Sequence, residues 1–225
     1  MSLNYFFDEN KRYPLKSAEI GCYNTGVFVL SEDYSTILGI PWLTIIKDTY
    51  SDYVLGIHLS LEAPNLQTMA LTFRNMIERK EWVKKYPKIK YEWESFGLPE
   101  TIICPKKYDI FPICNAMNIS LDQSVSKRMN TWGKTLKDDL FSRLKGNIHL
   151  TKNDKRFKPE KSAIHTIGSL KQTTIVYMLG VHHQSWQIGT YGVPKEKFLE
   201  GIKRHPLKEP SDPLWKEKLE RWCDS

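Results

Sequence analysis

The segment Trp93 to Phe111, WESFGLPETIICPKKYDIF, contains the short apolar run Thr101 to Cys104. Glycine and proline precede this run, and Pro105 ends it. A short β-branched run between such residues is typical of a buried strand in an α/β sheet. Such sheets place their binding and catalytic groups beyond the carboxyl ends of the strands. The residues that directly follow this strand, Pro105-Lys106-Lys107, are therefore where functional side chains are expected.

Further segments with a recognisable pattern surround this strand in order along the chain. They are the strand-like runs at residues 18–30, 42–47 and 53–59, a turn at residues 50–52, a helical pattern from Pro64, a short run near residues 118–121, a helical pattern over residues 126–144, the segment 154–163, a helix capped by Thr166, and residues 189–194. Several such segments in one order are a much stronger signal than any one of them alone.

Together these segments resemble the integrase-like catalytic core of the TnsB and bacteriophage Mu type of transposase, within the retroviral integrase superfamily. The resemblance covers nearly the whole chain and implies an α/β fold, a ribonuclease-H-like mixed five-stranded sheet with helices on both faces. We expect an N-terminal extension at residues 1–15 and the core at residues 16–150. A basic loop and a family C-terminal helix at residues 151–205 would pack on that core, and residues 206–225 would form a short tail.

Active members of this superfamily use three carboxylates to hold two divalent ions about 3.5–4 Å apart. Magnesium suits that site because it prefers oxygen ligands in octahedral geometry. Carried over residue by residue, the resemblance puts Gly21, Pro105 and, to within one residue of register, Asn130 at the three positions. None of these residues carries a carboxylate. The resemblance therefore implies a degenerate polynucleotidyl transferase without a metal or other cofactor, although Mg²⁺ is expected for active relatives.

Other acidic residues lie close to these positions in the sequence. Asp48 and Asp52 stand at the end of the second core strand and in the turn after it, and Asp109 follows the strand that ends at Cys104. We interpret Asp48 as a side chain that caps its own turn. Asp109 is interpreted as a cap or first-turn acid of the next helix. An active site built from relocated acids such as Asp48 and Asp109 is the alternative.

The chain has a formal net charge of +7 and a pI of about 9.1, which suits a polyanionic partner. Lysines also alternate with aromatic residues over residues 80–93, where we expect the aromatic rings to pack inward and the lysines to be solvated. The alternative is that this segment grips phosphates and stacks on bases. The predicted nucleic-acid-binding residues lie after the Cys104 strand, on the 126–144 helix and in the 151–163 loop: Lys106, Lys107, Lys127, Arg128, Lys134, Lys137, Lys155, Arg156 and Lys158.

Cysteine and histidine residues indicate no metal centre. The four cysteines lack Cys-x-x-Cys spacing, so we interpret them as reduced packing residues. His182 and His183 end a predicted helix, and a structural hydrogen-bonding role is favoured over metal ligation. The sequence contains no run of eighteen apolar residues and no cleavable signal pattern, so we expect a cytoplasmic protein without a membrane partner.

Three functions remain open. The first is a catalytically inactive integrase-type domain that acts in DNA transposition or integration by binding DNA or a partner such as an active transposase. The second is a purely structural protein-interaction module. The third is an active metal-dependent nuclease or polynucleotidyl transferase that uses the relocated acids. We favour the first, because the fold pattern is kept while the three ligand positions lack carboxylates.

Overall fold

The computed structural model describes residues 13–87, 89–144 and 164–223. Its strands are β1 (Ser17–Asn24), β2 (Val29–Leu30), β3 (Ile37–Gly39), β4 (Trp42–Asp48), β5 (Val54–Ser60), β6 (Thr101–Ile103), β7 (Ser120–Asp122) and β8 (His165–Thr166). Its α-helices are α1 (Leu66–Ile77), α2 (Phe111–Met117), α3 (Lys127–Leu136), α4 (Ser142–Leu144), α5 (Ile167–Gly180), α6 (Pro194–Arg204) and α7 (Trp215–Cys223). Short 3-10 helices cover Glu81–Lys85 and His182–Gln184.

The main sheet has five strands in the order β5-β4-β1-β6-β7. The pairs β1–β4 and β4–β5 are antiparallel, whereas β6 runs parallel to β1 and to β7. Helices flank this mixed sheet, so the predicted α/β fold class, consistent with a ribonuclease-H-like fold, is confirmed.

The prediction of one long first strand at residues 18–30 is wrong. β1 ends at Asn24, whose side chain accepts a hydrogen bond from the Gly26 amide at 3.0 Å. Gly26 has a φ of 67°, a left-handed conformation that no extended strand can contain. The chain then enters β2, which belongs to a separate three-stranded sheet in the order β3-β2-β8.

Helix α1 covers one face of the main sheet. It starts at Leu66, two residues later than the predicted start at Pro64, because Asn65 forms the N-cap. The Asn65 side chain accepts from the Thr68 amide at 2.8 Å, and the Thr68 hydroxyl accepts from the Asn65 amide. The helix lies so close to β5 that a Cβ added at Gly56 would meet the Met76 backbone at 2.7 Å. α7 packs against α1 and α2 on this same side.

Helix α3 covers the opposite face. Residues of β1 alternate between the two faces, and Ile20 shares the α1 face because it pairs through Ile46 with Gly56. Gly21 and Tyr23 therefore face α3. The prediction of one helix over residues 126–144 is confirmed in outline: Ser126 caps α3 through the Met129 amide, and a π-helical turn at residues 137–141 joins α3 to α4. The predicted Thr166 cap of α5 is also confirmed.

The segment at residues 80–93 corrects two expectations. Trp93 is buried and Lys84, Lys85 and Lys90 are exposed, as predicted, whereas the Tyr91 ring is 43% exposed and does not pack inward. Lys80, however, is only 4% exposed, and its ammonium donates to the carbonyls of Met76 and Ser95 at 2.8 and 2.7 Å. Lys80 therefore closes the connection between α1 and the sheet and does not reach solvent.

Two further observations concern the predicted cysteine role and membrane interaction. All four cysteines are free thiols, three of them buried, and burial raises the pKa of both Cys104 and Cys114 to about 12. Within residues 13–87, 89–144 and 164–223, no helix has the length and apolar character needed to cross a bilayer.

Candidate functional site

Gly21 and Pro105 lie at the same level of the main sheet. In the parallel β1–β6 pair, Glu19 is opposite Ile103. Two residues further along both strands, Gly21 of β1 is at the level of Pro105, which follows the carboxyl end of β6. Helix α3 packs across β1 at this position. The structure thus brings two of the three predicted positions side by side on neighbouring strands, beneath α3.

The third predicted position, Asn130, does not face Gly21 and Pro105. Asn130 is exposed on α3, and its neighbour Met129 is buried. A Cβ added at Gly21 would lie 2.7 Å from the Met129 methyl carbon, so Met129 is the helix residue that faces Gly21. The difference from the predicted register is one residue. An apolar thioether therefore takes the place where a ligand from the helix would stand.

The ring of Tyr23 fills the space between β1 and α3. A Cβ at Gly21 would lie 2.7 Å from Tyr23 Cζ and closer still to its hydroxyl oxygen. A Cβ at Gly133 would lie 2.6 Å from Tyr23 Cδ1 and closer still to Cε1. The Tyr23 hydroxyl donates to the Met129 carbonyl at 2.7 Å, and burial raises the pKa of this phenol. The tyrosine can occupy this position only because residues 21 and 133 are both glycine.

This arrangement does not fit a two-metal site. Magnesium requires about six oxygen ligands in near-octahedral geometry, whereas positions 21, 105 and 130 supply no carboxylate and the Tyr23 ring occupies the space beside Gly21. Within the part of the chain that the structure describes, His, Cys, Asp and Glu side chains form no group of three or more that could hold a metal ion.

Two buried carboxylates on the α3 face of the sheet, Glu19 and Asp52, lie close to cations. Asp52 Oδ1 lies 2.6 Å from Lys47 Nζ and 2.6 Å from Arg128 Nη2. Glu19, opposite Lys47 in the β1–β4 pair, accepts a short hydrogen bond from the Ser126 hydroxyl and lies 4.0 Å from Arg128 Nε. Glu19, Lys47 and Asp52 are each less than 4% exposed. We call these four charged residues the buried charge network.

The buried charge network keeps Asp52 ionised. Burial alone would raise the pKa of the Asp52 carboxyl, but the cations Lys47 and Arg128 outweigh burial and hold this pKa below its usual value. Asp52 also has a φ of 65°, so its backbone adopts the left-handed conformation at the turn before β5. Asp52 therefore links the sheet to α3 through Lys47 and Arg128. Because these two cations neutralise its carboxylate, Asp52 is a poor ligand for a metal ion.

His182 and His183 are neutral and structural. The Trp132 indole N–H can only donate, so His182 Nδ1, 3.3 Å away, is its acceptor. His182 Nε2 then carries the proton and donates to the Asp52 carbonyl at 2.9 Å. Burial and then the Lys47 charge lower the pKa of His182 to about 4. His183 accepts from the Val54 amide at 2.9 Å and stacks on Tyr53.

The two acids considered for a relocated site are placed as turn and helix-start residues. Asp48 is fully buried and accepts from the Leu15 amide at 2.9 Å, the Ser51 amide at 2.8 Å and the Ser51 hydroxyl at 2.6 Å. Asp109 is exposed and accepts from the Phe111 amide at 3.3 Å, at the start of α2. The interpretation of Asp48 as the cap of its own turn is confirmed.

The predicted nucleic-acid-binding lysines of α3 share one exposed face. Lys127, Lys134 and Lys137 lie at helical spacing with Asn130 between them, all exposed, while Met129, Gly133 and Leu136 face the sheet. Arg128 is different, because its guanidinium is 24% exposed and belongs to the buried charge network. Arg128, unlike the three lysines, therefore already has a buried acidic partner in the part of the chain that the structure describes.

The other predicted basic residues lie elsewhere. Lys106 and Lys107 are exposed in the loop after β6, and Lys107 Nζ lies 4.7 Å from the centre of the Tyr108 ring. Lys155, Arg156 and Lys158 lie outside the described residues.

A groove opens beside the buried charge network, between α3 and residues 177–189. It has a volume of about 620 Å³. Lys127, Arg128 and Trp132 line one wall, Trp186 and Ile188 line the other, and further lining residues include Lys47, Asp52, Asp139, Tyr177 and His182. Its lining combines charged groups with the aromatic rings of Trp132, Tyr177 and Trp186. We call this cavity the α3 groove.

The sequence pattern did not reveal Tyr23, Gly133 or the buried charge network. Glycines inside a strand and inside a helix are themselves a signal for close approach of another group. They do not say which side chain approaches, because Tyr23 and Gly133 meet only through tertiary packing.

Sequence comparison relates this chain to known transposase proteins. Residues 20–146, more than half of the 225 residues, match the family described as the TnsB C-terminal domain. The chain is also 42% identical over 60 residues to the transposase for transposon Tn552 from Staphylococcus aureus. That alignment covers 27% of this chain and 11% of that transposase, so the chain spans only a small part of its relative. The matched segment begins within β1 and contains β6 and all of α3 with its π-helical extension, and the chain belongs to the TnsB C-terminal domain family.

Proposed function

We propose that this chain is a non-catalytic core domain of the transposase and integrase type, which acts in DNA transposition or integration by binding DNA or a transposition partner. The observation that carries the proposal is the Tyr23 ring, which is packed between Gly21 and Gly133 where α3 crosses β1. In active relatives the superfamily resemblance places metal-binding carboxylates at this location.

Loss of catalysis has two physical reasons in this proposal. First, Gly21 and Pro105 cannot ligate a cation through a side chain, and the helix presents Met129 to the sheet. Second, the space is occupied, so an aspartate introduced at position 21 would collide with Tyr23. We infer that no divalent metal is needed for function. Relocated acids are poor substitutes, since Asp48 uses its carboxylate oxygens to hold its own turn.

DNA is the partner that the exposed charge favours. Lys127, Lys134 and Lys137 extend from one face of α3, and none of them forms an ion pair with another residue in the described ranges. Lysines along a helix neutralise phosphates and release counterions, which gives binding that weakens steeply with salt. The net charge of +7 acts in the same direction.

The test is the salt dependence of binding to a labelled DNA duplex, measured by fluorescence anisotropy. The variant Lys134→Gln/Lys137→Gln should bind more weakly at every salt concentration. Its slope of log K against log[salt] should be smaller by about 1 for each lysine that contacts a phosphate.

A matched control removes the same charge from the other side of the sheet. Lys216 and Arg221 are exposed on α7, which packs with α1 on the face opposite α3. The variant Lys216→Gln/Arg221→Gln should leave the slope nearly unchanged. Equal effects of the two double variants would show that the α3 face is not the binding surface, and no duplex binding at low salt would refute the DNA-binding proposal.

A further inference from the structure

Two strands, β5 and β7, form the outer edges of the main sheet, and they differ in how their backbone is protected. At β5, His183 accepts a hydrogen bond from the Val54 amide at 2.9 Å, and the Trp93 indole N–H donates to the Val54 carbonyl at 2.7 Å. The Asn75 side chain accepts from the Ile57 amide at 2.8 Å. Proteins block edge strands in such ways because an open edge pairs readily with another chain. These side chains therefore close β5 to a further strand.

The backbone of β7 alternates between the sheet and the open edge. The Ser120 amide donates to the Glu100 carbonyl at 3.0 Å, and the Asp122 carbonyl accepts from the Cys104 amide at 2.9 Å. Both residues thus turn their backbone groups toward β6. Because successive residues of a strand turn these groups to opposite sides, the amide and the carbonyl of Leu121 point away from the sheet. Within residues 13–87, 89–144 and 164–223, neither group of Leu121 has a hydrogen-bond partner.

The row of backbone groups along this edge matches an extended polypeptide. By the same alternation, the Ile119 carbonyl and the Gln123 amide point outward on either side of Leu121. The Ile119 amide is already used, since it donates to the Cys114 carbonyl at 2.9 Å. Acceptors and donors therefore repeat along the edge at the spacing of a strand. A peptide that adds to a sheet edge meets such a row with its own main chain.

A pocket of about 350 Å³ lies between this edge and α2. Its lining residues come from α2 and from the β7 segment and carry no charge: Phe111, Cys114, Asn115, Ile119, Leu121 and Gln123. Phe111 is 61% exposed at the start of α2. A strand presents every second side chain to the same face, so a strand paired with β7 would place a side chain in this pocket. The uncharged lining suits an apolar side chain and not a phosphate group.

We propose that β7 and α2 form a docking site for an extended segment of a protein partner, which adds to the main sheet as a sixth strand. The segment pairs with Leu121 through its backbone and places one large apolar side chain beside Phe111. The site lies on the α1 side of the sheet, because α7 packs against both α1 and α2. This inference rests on the partner-binding part of the proposed function. It does not depend on DNA contact, which belongs to the lysine face of α3 on the opposite side.

The test titrates a capped pentapeptide, acetyl-Thr-Thr-Leu-Thr-Thr-amide, into the isotope-labelled chain and follows backbone amide signals by NMR. We expect saturable shifts of the Leu121 and Gln123 amides. Replacing the peptide leucine with alanine should weaken binding about tenfold, because the pocket is left unfilled.

Two N-methylated versions of the peptide test the strand pairing itself. One is methylated at the leucine nitrogen, and the other is methylated at the nitrogens of the two threonines that flank it. Because only alternate N–H groups of an added strand face the sheet, one version should bind at least about fivefold more weakly and the other should bind like the parent peptide.

The variant Phe111→Ala removes the exposed wall of the pocket. It should weaken binding of the parent peptide about fivefold and keep the unfolding temperature, because this side chain is largely exposed. The matched control is Trp186→Ala, which removes an aromatic ring of nearly equal exposure, 63%, from the α3 groove on the other side of the sheet. This control should leave peptide binding unchanged.

Three results would overturn the inference. The first is no saturable shift of the Leu121 and Gln123 amides, and the second is equal binding of the parent peptide and both N-methylated versions. The third is a shift of these amides that depends on the concentration of the chain alone, which would show that a second copy occupies the edge. The salt dependence of duplex binding is measured separately, so either proposal can fail while the other holds.

Discussion

Replacing Gly133 with alanine should destabilise the fold, although the same change stabilises an ordinary helix. Alanine in a helix interior is favoured over glycine by about 1 kcal/mol. At position 133, however, the new Cβ would lie 2.6 Å from Tyr23 Cδ1 and nearer still to Cε1. Forcing extra volume into a packed interior costs about 1–3 kcal/mol. We therefore expect Gly133→Ala to lower the free energy of unfolding by up to about 2 kcal/mol, the strain less the helix gain.

A double-mutant cycle with Tyr23→Ala isolates this contact. Without the ring, the alanine methyl group has space, so Gly133→Ala should become stabilising by about 1 kcal/mol in the Tyr23→Ala background. The two changes should then be coupled by about 1–3 kcal/mol, which is within the range for residues in contact. Urea unfolding followed by circular dichroism measures all four variants. A stabilising effect of Gly133→Ala in the wild-type background would refute the packing of Tyr23 between β1 and α3.

Three other perturbations test the remaining interactions. Asp52→Asn should lower the free energy of unfolding by about 3–5 kcal/mol, because it leaves Lys47 buried without its carboxylate; a loss below about 1 kcal/mol in urea unfolding would contradict this. His182 stays neutral when folded because its pKa is lowered to about 4, so the unfolded chain binds more protons as pH falls from about 6.5 to 4, and this one group should lower the stability by about 3 kcal/mol over that window, in the same direction as His58 and His183. Burial raises the pKa of Asp48 to about 6, and this shift favours the folded state as the pH falls. The effect of His182 is therefore measured by comparing the wild type with His182→Gln, whose plot of unfolding free energy against pH should be flatter by about 1.4 kcal/mol per pH unit between about pH 6.5 and 4. Parallel plots for the two proteins would contradict the assignment. Asn65→Ala should cost about 1 kcal/mol through loss of the α1 capping box, and an unchanged unfolding midpoint would exclude that role.

The sheet could be predicted from local pattern. Runs such as Thr101–Ile103 and Trp42–Asp48 are apolar, partly β-branched and bounded by breakers, so their strands fall within one residue of the prediction. The first strand was predicted too long because apolar residues continue beyond Asn24, and only the positive φ of Gly26 ends the strand. Gly21 and Gly133 could be recognised in the sequence as positions that another group approaches closely, but the sequence did not show that Tyr23 is the group that approaches both.

The charged residues show the same limit. Lys47 follows two isoleucines in a buried strand, a pattern that gives no indication of its partner. Asp52 and Arg128 are 76 residues apart in sequence, and their ion pair depends on how α3 crosses β1. Arg128 was grouped with the lysines of α3 as a nucleic-acid-binding residue, because a helical pattern does not show that one of its basic residues turns toward a buried acid. Trp186 and Ile188 were not singled out, because their exposure depends on the turn that the Gln187 amide closes.

The central claim is that this core binds DNA without metal-dependent chemistry. The most direct measurement incubates the chain with linear and branched labelled DNA in Mg²⁺, in Mn²⁺ and in EDTA, and resolves cleavage and joining products together with bound complexes. We predict equal binding in all three conditions and no product dependent on metal. Metal-dependent nicking or joining that rises with protein concentration and is lost on Asp48→Asn, with the variant shown to be folded, would contradict the account.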